Sequence, residues 1–92
     1  MPLSQCELRA IASLEQLFDQ LSRQLPLPPH FGRNLDALYD CLANEVPGPL
    51  RLVWHDAAAA ERALGADVYA TVLDILQTVA DERDDVALDI RR

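Results

Sequence analysis

The chain has 92 residues, enough for one hydrophobic core and too few for two, so a single domain over 1–92 is expected. Half of the residues are hydrophobic and a quarter are charged, the balance of a folded globular protein rather than a disordered or fibrous one. Fifteen acidic against eight basic residues leave a net charge of −7, which disfavours nucleic acid and anionic membrane surfaces and points to a cationic partner.

The opening Met1-Pro2-Leu3-Ser4-Gln5-Cys6-Glu7 lacks the basic and apolar regions of a secretory signal, which makes the cytoplasm the expected location. Pro2 to Glu7 is a candidate strand, though its apolar alternation is poor. From Ser13 the pattern turns helical, with Leu14, Leu17, Phe18, Leu21 and Leu25 on one stripe and Glu15, Asp19 and Arg23 off it. Ser13 and Gln16 have capping-box spacing, and Pro26, Pro28 and Pro29 end the helix after Leu25 and form a rigid connector.

A second helical period begins after Gly32 and Asn34, with Leu35, Leu38, Leu42 and Val46 inward, and Pro47-Gly48-Pro49 terminates it. Leu50 to Trp54 reads as a strand. Asp56 is the expected N-cap of a short alanine-rich helix through Leu64, stopped at Gly65. Beyond Ala66, residues Val68, Val72, Ile75, Leu76 and Val79 form a third long stripe, and Asp85 to Arg92 alternates Val86, Leu88 and Ile90 inward. Helices separate the strands, so the sheet should be parallel and the class α/β.

No segment approaches the ~20 apolar residues that a membrane span needs. Two cysteines, Cys6 and Cys41, are too few for a disulfide framework or a four-ligand zinc site and read as small core thiols.

The informative window runs from His30 to Leu42. At 100° per residue Leu35, Leu38 and Leu42 share a narrow arc, while Asp36 and Asp40, four apart, share the opposite side. Tyr39 falls between the two faces, and His30 and Phe31 lie in the connector leading onto the same surface. Two aspartates are a poor metal site, since calcium takes about six or more oxygens and magnesium usually needs substrate phosphates as well. Cys41 points away from the aspartate side, so no catalytic pairing suggests itself; neither a cofactor, a metal nor an enzymatic activity is expected. Solvated surface aspartates are common, and the pattern alone does not separate an idle pair from a pair shaped for a cationic cleft.

The string Phe31-Gly32-Arg33-Asn34-Leu35-Asp36-Ala37-Leu38-Tyr39-Asp40-Cys41-Leu42 resembles the signature of the barstar family, intracellular inhibitors of barnase-type secreted ribonucleases: aromatic-Gly-x-Asn-Leu-Asp-Ala-Leu-aromatic-Asp-Cys-Leu. The likeness extends back through Leu17, Leu21, Leu25, Leu27 and Pro28, and forward through Pro49-Leu50 to Trp54. It implies a three-stranded parallel sheet packed on one side by about four helices, which agrees with the β-α-α-β-α-α-β order read from the residues.

The resemblance also implies roles. Asp40 matches the family's main anchor, a carboxylate that takes the ribonuclease's phosphate-binding site, and Asp36 matches a second acidic contact on the same helix. Asn34 and Tyr39 match a contact asparagine and a contact aromatic, and Gly32 belongs to the same motif. His30 stands at a contact tyrosine, Glu45 at a contact-region tryptophan and Thr78 at an acidic contact on the last helix, near which Glu82 keeps a carboxylate. The expected partner is a basic ribonuclease bound 1:1 by a chain that is a monomer when free. The departures at His30, Glu45 and Thr78 keep a second target open, a different basic toxin neutralised by an immunity or antitoxin protein of this fold.

Overall fold

Short runs of β-branched and large apolar residues bounded by turns form strands, and here three of them lie side by side. In the computed structural model, which describes residues 4–27, 32 and 34–92, these are β1 (Ser4–Leu8), β2 (Leu50–Trp54) and β3 (Val86–Ile90), in the order β1-β2-β3 with both pairs parallel. The register sets Cys6 beside Leu52 and Leu88, and Leu8 beside Trp54 and Ile90. Side chains alternate across a strand, so Cys6, Leu8, Leu50, Leu52 and Trp54 share one fully buried face. The other face carries Glu7, Val53 and Asp89 in a row and is laced by Arg51–Asp89, Arg91–Asp89, Arg9–Glu7 and His55–Glu7 contacts of 2.8–3.1 Å.

Four helices fill the two crossovers: α1 (Leu14–Gln24), α2 (Leu35–Asn44), α3 (Ala57–Leu64) and α4 (Ala66–Glu82). Parallel strands require such crossovers, and the helices supply the apolar stripes that cover the buried sheet face. Leu17, Phe18 and Leu21 of α1, Leu38 and Leu42 of α2 and Val72, Leu76 and Val79 of α4 join that face in one core.

The α/β class, the parallel sheet and the helix order follow the sequence reading, with differences that have physical causes. The expected strand from Pro2 to Glu7 is found as β1 and extends one residue further, to Leu8, because Leu8 beside Trp54 completes its buried side; the start of that expectation, with Met1 to Leu3, lies outside the described residues. The Ser13 cap forms, its Oγ accepting from the Gln16 N–H at 3.2 Å, but the Gln16 side chain reaches back to the Ala12 N–H at 2.7 Å, one residue beyond the Ser13 N–H of a reciprocal box. Asp56 precedes α3 as expected, yet it does not cap with its side chain. It adopts a left-handed conformation (φ 54°, ψ 43°) that aspartate tolerates better than most residues, and only its carbonyl engages, accepting from Ala59 and Ala60. On α4 the buried stripe includes Tyr69, with Val68 and Ile75 at its half-buried margins; the Tyr69 ring packs on Trp54 at 5.3 Å. At the edge of the sheet Leu88 and Ile90 are half-buried rather than fully inward.

Candidate partner-binding site

Asn34 sets the start of α2. Its backbone is extended, its Oδ1 accepts from the Ala37 N–H at 2.8 Å and its Nδ2 donates to the Gly32 carbonyl at 3.3 Å. A Cβ on Gly32 would lie 2.9 Å from that Nδ2, so a side chain at 32 would press on the capping amide. With Leu38, Cys41 and Leu42 buried, the rotation of α2 about its axis is fixed.

That rotation leaves Asp36 and Asp40 both exposed. Four residues apart on a helix, their Cβ atoms are neighbours at roughly 5–6 Å. Among the described residues neither carboxylate has a hydrogen-bond or ion-pair partner. Asp36 lies in the first turn, where the positive end of the helix dipole offsets part of the repulsion between them.

Tyr39 is half-buried between this side and the core, and its hydroxyl donates to the Glu82 carboxylate of α4, 2.5 and 2.7 Å from the two oxygens. That bond, then burial and the charges of Glu82 and Asp40, raise the Tyr39 hydroxyl above its ordinary pKa of 10.0, so it stays a donor. Through it a carboxylate from the end of the chain's last helix joins the acidic side of α2. Glu45 is exposed at the opposite end of α2, about 13 Å along the axis from Asp36, so the fold does not gather it with the aspartates. His30 and Phe31 lie outside the described residues.

Among the described residues no three His, Cys, Asp or Glu side chains converge on a metal position, and no helix is long and apolar enough to cross a membrane. The arrangement offers two anions on a braced helix, unpaired among the described residues and suited to contact with a cationic surface.

The family model described as Barstar (barnase inhibitor) matches residues 1–91 of this chain. The chain belongs to the barstar family. It is also similar to "Putative ribonuclease inhibitor YrdF" of Bacillus subtilis (strain 168), 40% identical over 78 residues that make up 84% of each protein. The barstar fold that the resemblance implied, a three-stranded parallel sheet with four helices, is the one observed.

Within this barstar scaffold both cysteines are buried. Burial, with a smaller push from Glu7, raises the Cys6 thiol to about 12, and burial followed by the charges of Glu45 and Asp40 raises Cys41. Neither is poised as a thiolate nucleophile. Thr78 turns its hydroxyl back to the Asp74 carbonyl at 2.7 Å, so that position of α4 presents no carboxylate.

Sequence reading missed the residue that ties the end of α2 down. The Arg83 side chain, 16% exposed, donates from Nη1 to the Leu42 and Val46 carbonyls at 2.7 Å each and from Nε and Nη2 to the Asp85 oxygens at 3.0 and 2.9 Å. Its partners at the end of α2 and just beyond it, Leu42 and Val46, lie 41 and 37 residues away, and no local pattern announces such a pairing.

Proposed function

We propose that this chain inhibits a barnase-type ribonuclease by direct blockade, with Asp36 and Asp40 occupying the position of substrate phosphates. The observation that carries this reading is the pair of exposed carboxylates on one side of α2, without a partner among the described residues, in a chain of the barstar family. Glu82, bonded to Tyr39, adds an anion from α4 to this reading of the surface. Asn34 and Gly32 shape the helix entry, His30 and Phe31 precede it on the chain, and Glu45 stands at the periphery of the contact.

In this reading the protein is a binding protein without catalytic activity, acts in the cytoplasm and meets its target 1:1 as a monomer. Opposite net charges accelerate encounter, and added salt slows it. A different basic toxin as target is the second reading. It is favoured by Thr78, whose self-satisfied hydroxyl replaces a family carboxylate on α4.

The deciding experiment measures RNA hydrolysis by a purified barnase-type ribonuclease with increasing amounts of the chain. Inhibition at a 1:1 ratio is expected, and Asp40→Ala should weaken binding by about 2–5 kcal/mol, the range for truncating one side of a charge pair in an interface. An Asp40→Ala variant within about threefold of wild type refutes the role of that aspartate. Absence of inhibition by the wild type, with tight binding to another basic toxin, would establish the second reading.

A further inference from the structure

Glu82 and Arg83 are neighbours at the end of α4, and they grip two different parts of α2. Glu82 accepts from Tyr39 in the middle of the helix, while Arg83 donates to the carbonyls of Leu42 in its last turn and Val46 just past its end. Helix ends leave carbonyls without intrahelical donors, and α2 has no basic residue of its own in its last turn. Arg83 supplies both the donors and the positive charge that the negative end of the dipole favours.

The grip is itself braced. Asp85 takes the other edge of the guanidinium with both oxygens, and the Asp85 carbonyl accepts from Leu50 N–H at 2.8 Å, where β2 begins. A Cβ on Gly48 would fall 2.0 Å from Asp85 Oδ2, so the loop between α2 and β2 leaves room for this carboxylate only because residue 48 is glycine. The planar fork of arginine can serve two carbonyls and a bidentate carboxylate together; a lysine, with one nitrogen, cannot. Among the other helices and strands, α2 packs chiefly against α4, so its placement depends on this junction.

We propose that Arg83 is a positioning residue for partner binding: by anchoring the end of α2 to the α4–β3 turn, beside the Tyr39–Glu82 bond, it holds Asp36, Asp40 and Glu82 in one arrangement before the partner arrives. The inference rests on α2 being the partner-binding helix. A surface already in its bound arrangement loses less freedom on association, and relaxing it is read mainly in the dissociation rate.

The test uses the full-length protein and two readouts, backbone amide exchange of the free chain and dissociation from a barnase-type ribonuclease, on Arg83→Met and Arg83→Lys. In Arg83→Met, amides of α2 should exchange about tenfold faster or more while those of β2 keep their protection, and dissociation should accelerate by about tenfold or more with association within about threefold. Arg83→Lys should fall between Arg83→Met and wild type in both. Unchanged α2 exchange overturns the proposal. So does a variant with a lowered melting temperature whose α2 and β2 exchange rise together and whose dissociation is unaltered, because that is the behaviour of a merely structural residue. Should Arg83→Met fail to fold, Arg83→Lys decides: faster α2 exchange and dissociation support the proposal, and wild-type values in both overturn it. A wild-type chain that does not bind the ribonuclease sinks the proposed function instead, and the exchange measurement still decides whether Arg83 holds α2.

Discussion

The side-chain amide of Gln24 takes the place of a neighbouring strand beside Glu7. Its Oε1 accepts from the Glu7 N–H at 2.8 Å and its Nε2 donates to the Glu7 carbonyl at 2.9 Å. Gln20, one turn earlier on α1, makes the same pair with Arg9, at 2.9 and 2.7 Å. Two residues along a strand span about 6.6 Å and one helical turn about 5.4 Å, close enough for a helix to run beside a strand and serve its alternate backbone groups. β1 is an edge strand, and an edge with free backbone donors and acceptors is a template for pairing with another chain.

Replacing both glutamines by alanine should therefore do more than remove hydrogen bonds. Each lost bond is expected to cost about 0.5–1.5 kcal/mol, toward the lower figure at these exposed positions, seen as a lower urea midpoint. The opened edge should also bring concentration-dependent self-association in sedimentation velocity. A Gln20→Ala, Gln24→Ala double variant that sediments as the wild type at every concentration would show that the amides do not guard the edge.

Asn34 is read above as a contact residue, but its side chain is also the cap of α2. Asn34→Ala should destabilise the fold by about 0.5–2 kcal/mol in denaturant titrations, and Asn34→Asp, which keeps the acceptor and adds negative charge at the positive helix end, should recover most of it. Equal loss in the two variants would mean that the cap contributes little.

Three carboxyls are held below their ordinary values: Glu7 chiefly by the hydrogen bond from His55, Asp85 by that from Arg83, and Asp89 by those from Arg51 and then Arg91. A group more acidic in the folded than in the unfolded chain stabilises the fold at any pH above its unfolded value. That contribution is lost as pH falls through the folded value. The ordinary values are 4.5 for Glu7 and 3.8 for the two aspartates, so this contribution to the melting temperature should be level above pH 4.5 and decline below it. Asp89→Asn should shallow the acid limb of a melting-temperature profile; an unchanged limb would remove Asp89 from the set.

Gly48→Ala should be costly for a reason that lies 37 residues away. The new Cβ would meet Asp85 at 2.0 Å from Oδ2 and 2.5 Å from Cγ, forcing the carboxylate out of the Arg83 fork. Overpacking of this kind typically costs about 1–3 kcal/mol. In an Asp85→Ala background the same substitution should cost markedly less, because the clash with the carboxylate is gone and only a 3.0 Å approach to the residue 85 Cβ remains, and the double-mutant cycle measures that coupling. Strict additivity would place the effect in the Gly48 backbone instead.

Much of the architecture was legible in order along the chain. Leu17, Phe18 and Leu21, the Leu38–Leu42 pair and Val72, Leu76 and Val79 announce amphipathic helices because burial on a helix recurs with its turn. Prolines 26, 28, 29, 47 and 49 mark where helices stop, since proline cannot supply the next backbone donor. β1 was harder to read: its buried side is only Cys6 and Leu8 at full depth, and its polar outer residues are accounted for by ion pairs and α1 glutamines rather than by alternation. The motif from Phe31 to Leu42 carried the family resemblance and drew attention to Asp36, Asp40 and Tyr39, but it held no sign that Tyr39 would be committed to Glu82.

What the sequence by itself determined is therefore local: the helical stripes, the stops, the start of a helix after Asn34 and the placing of two aspartates on the side of a helix opposite its buried leucines. Each depends on interactions within about four residues, which a linear reading can follow. Only the tertiary structure decided that Tyr39 would bond Glu82 of α4, that Arg83 would fasten the end of α2, and that glutamines of α1 would close the edge of β1. These bonds join residues 11 to 43 positions apart. They exist because burying the shared core brings α2, α4 and the sheet together, and polar side chains then pair with whatever unsatisfied backbone or charge that packing leaves within reach.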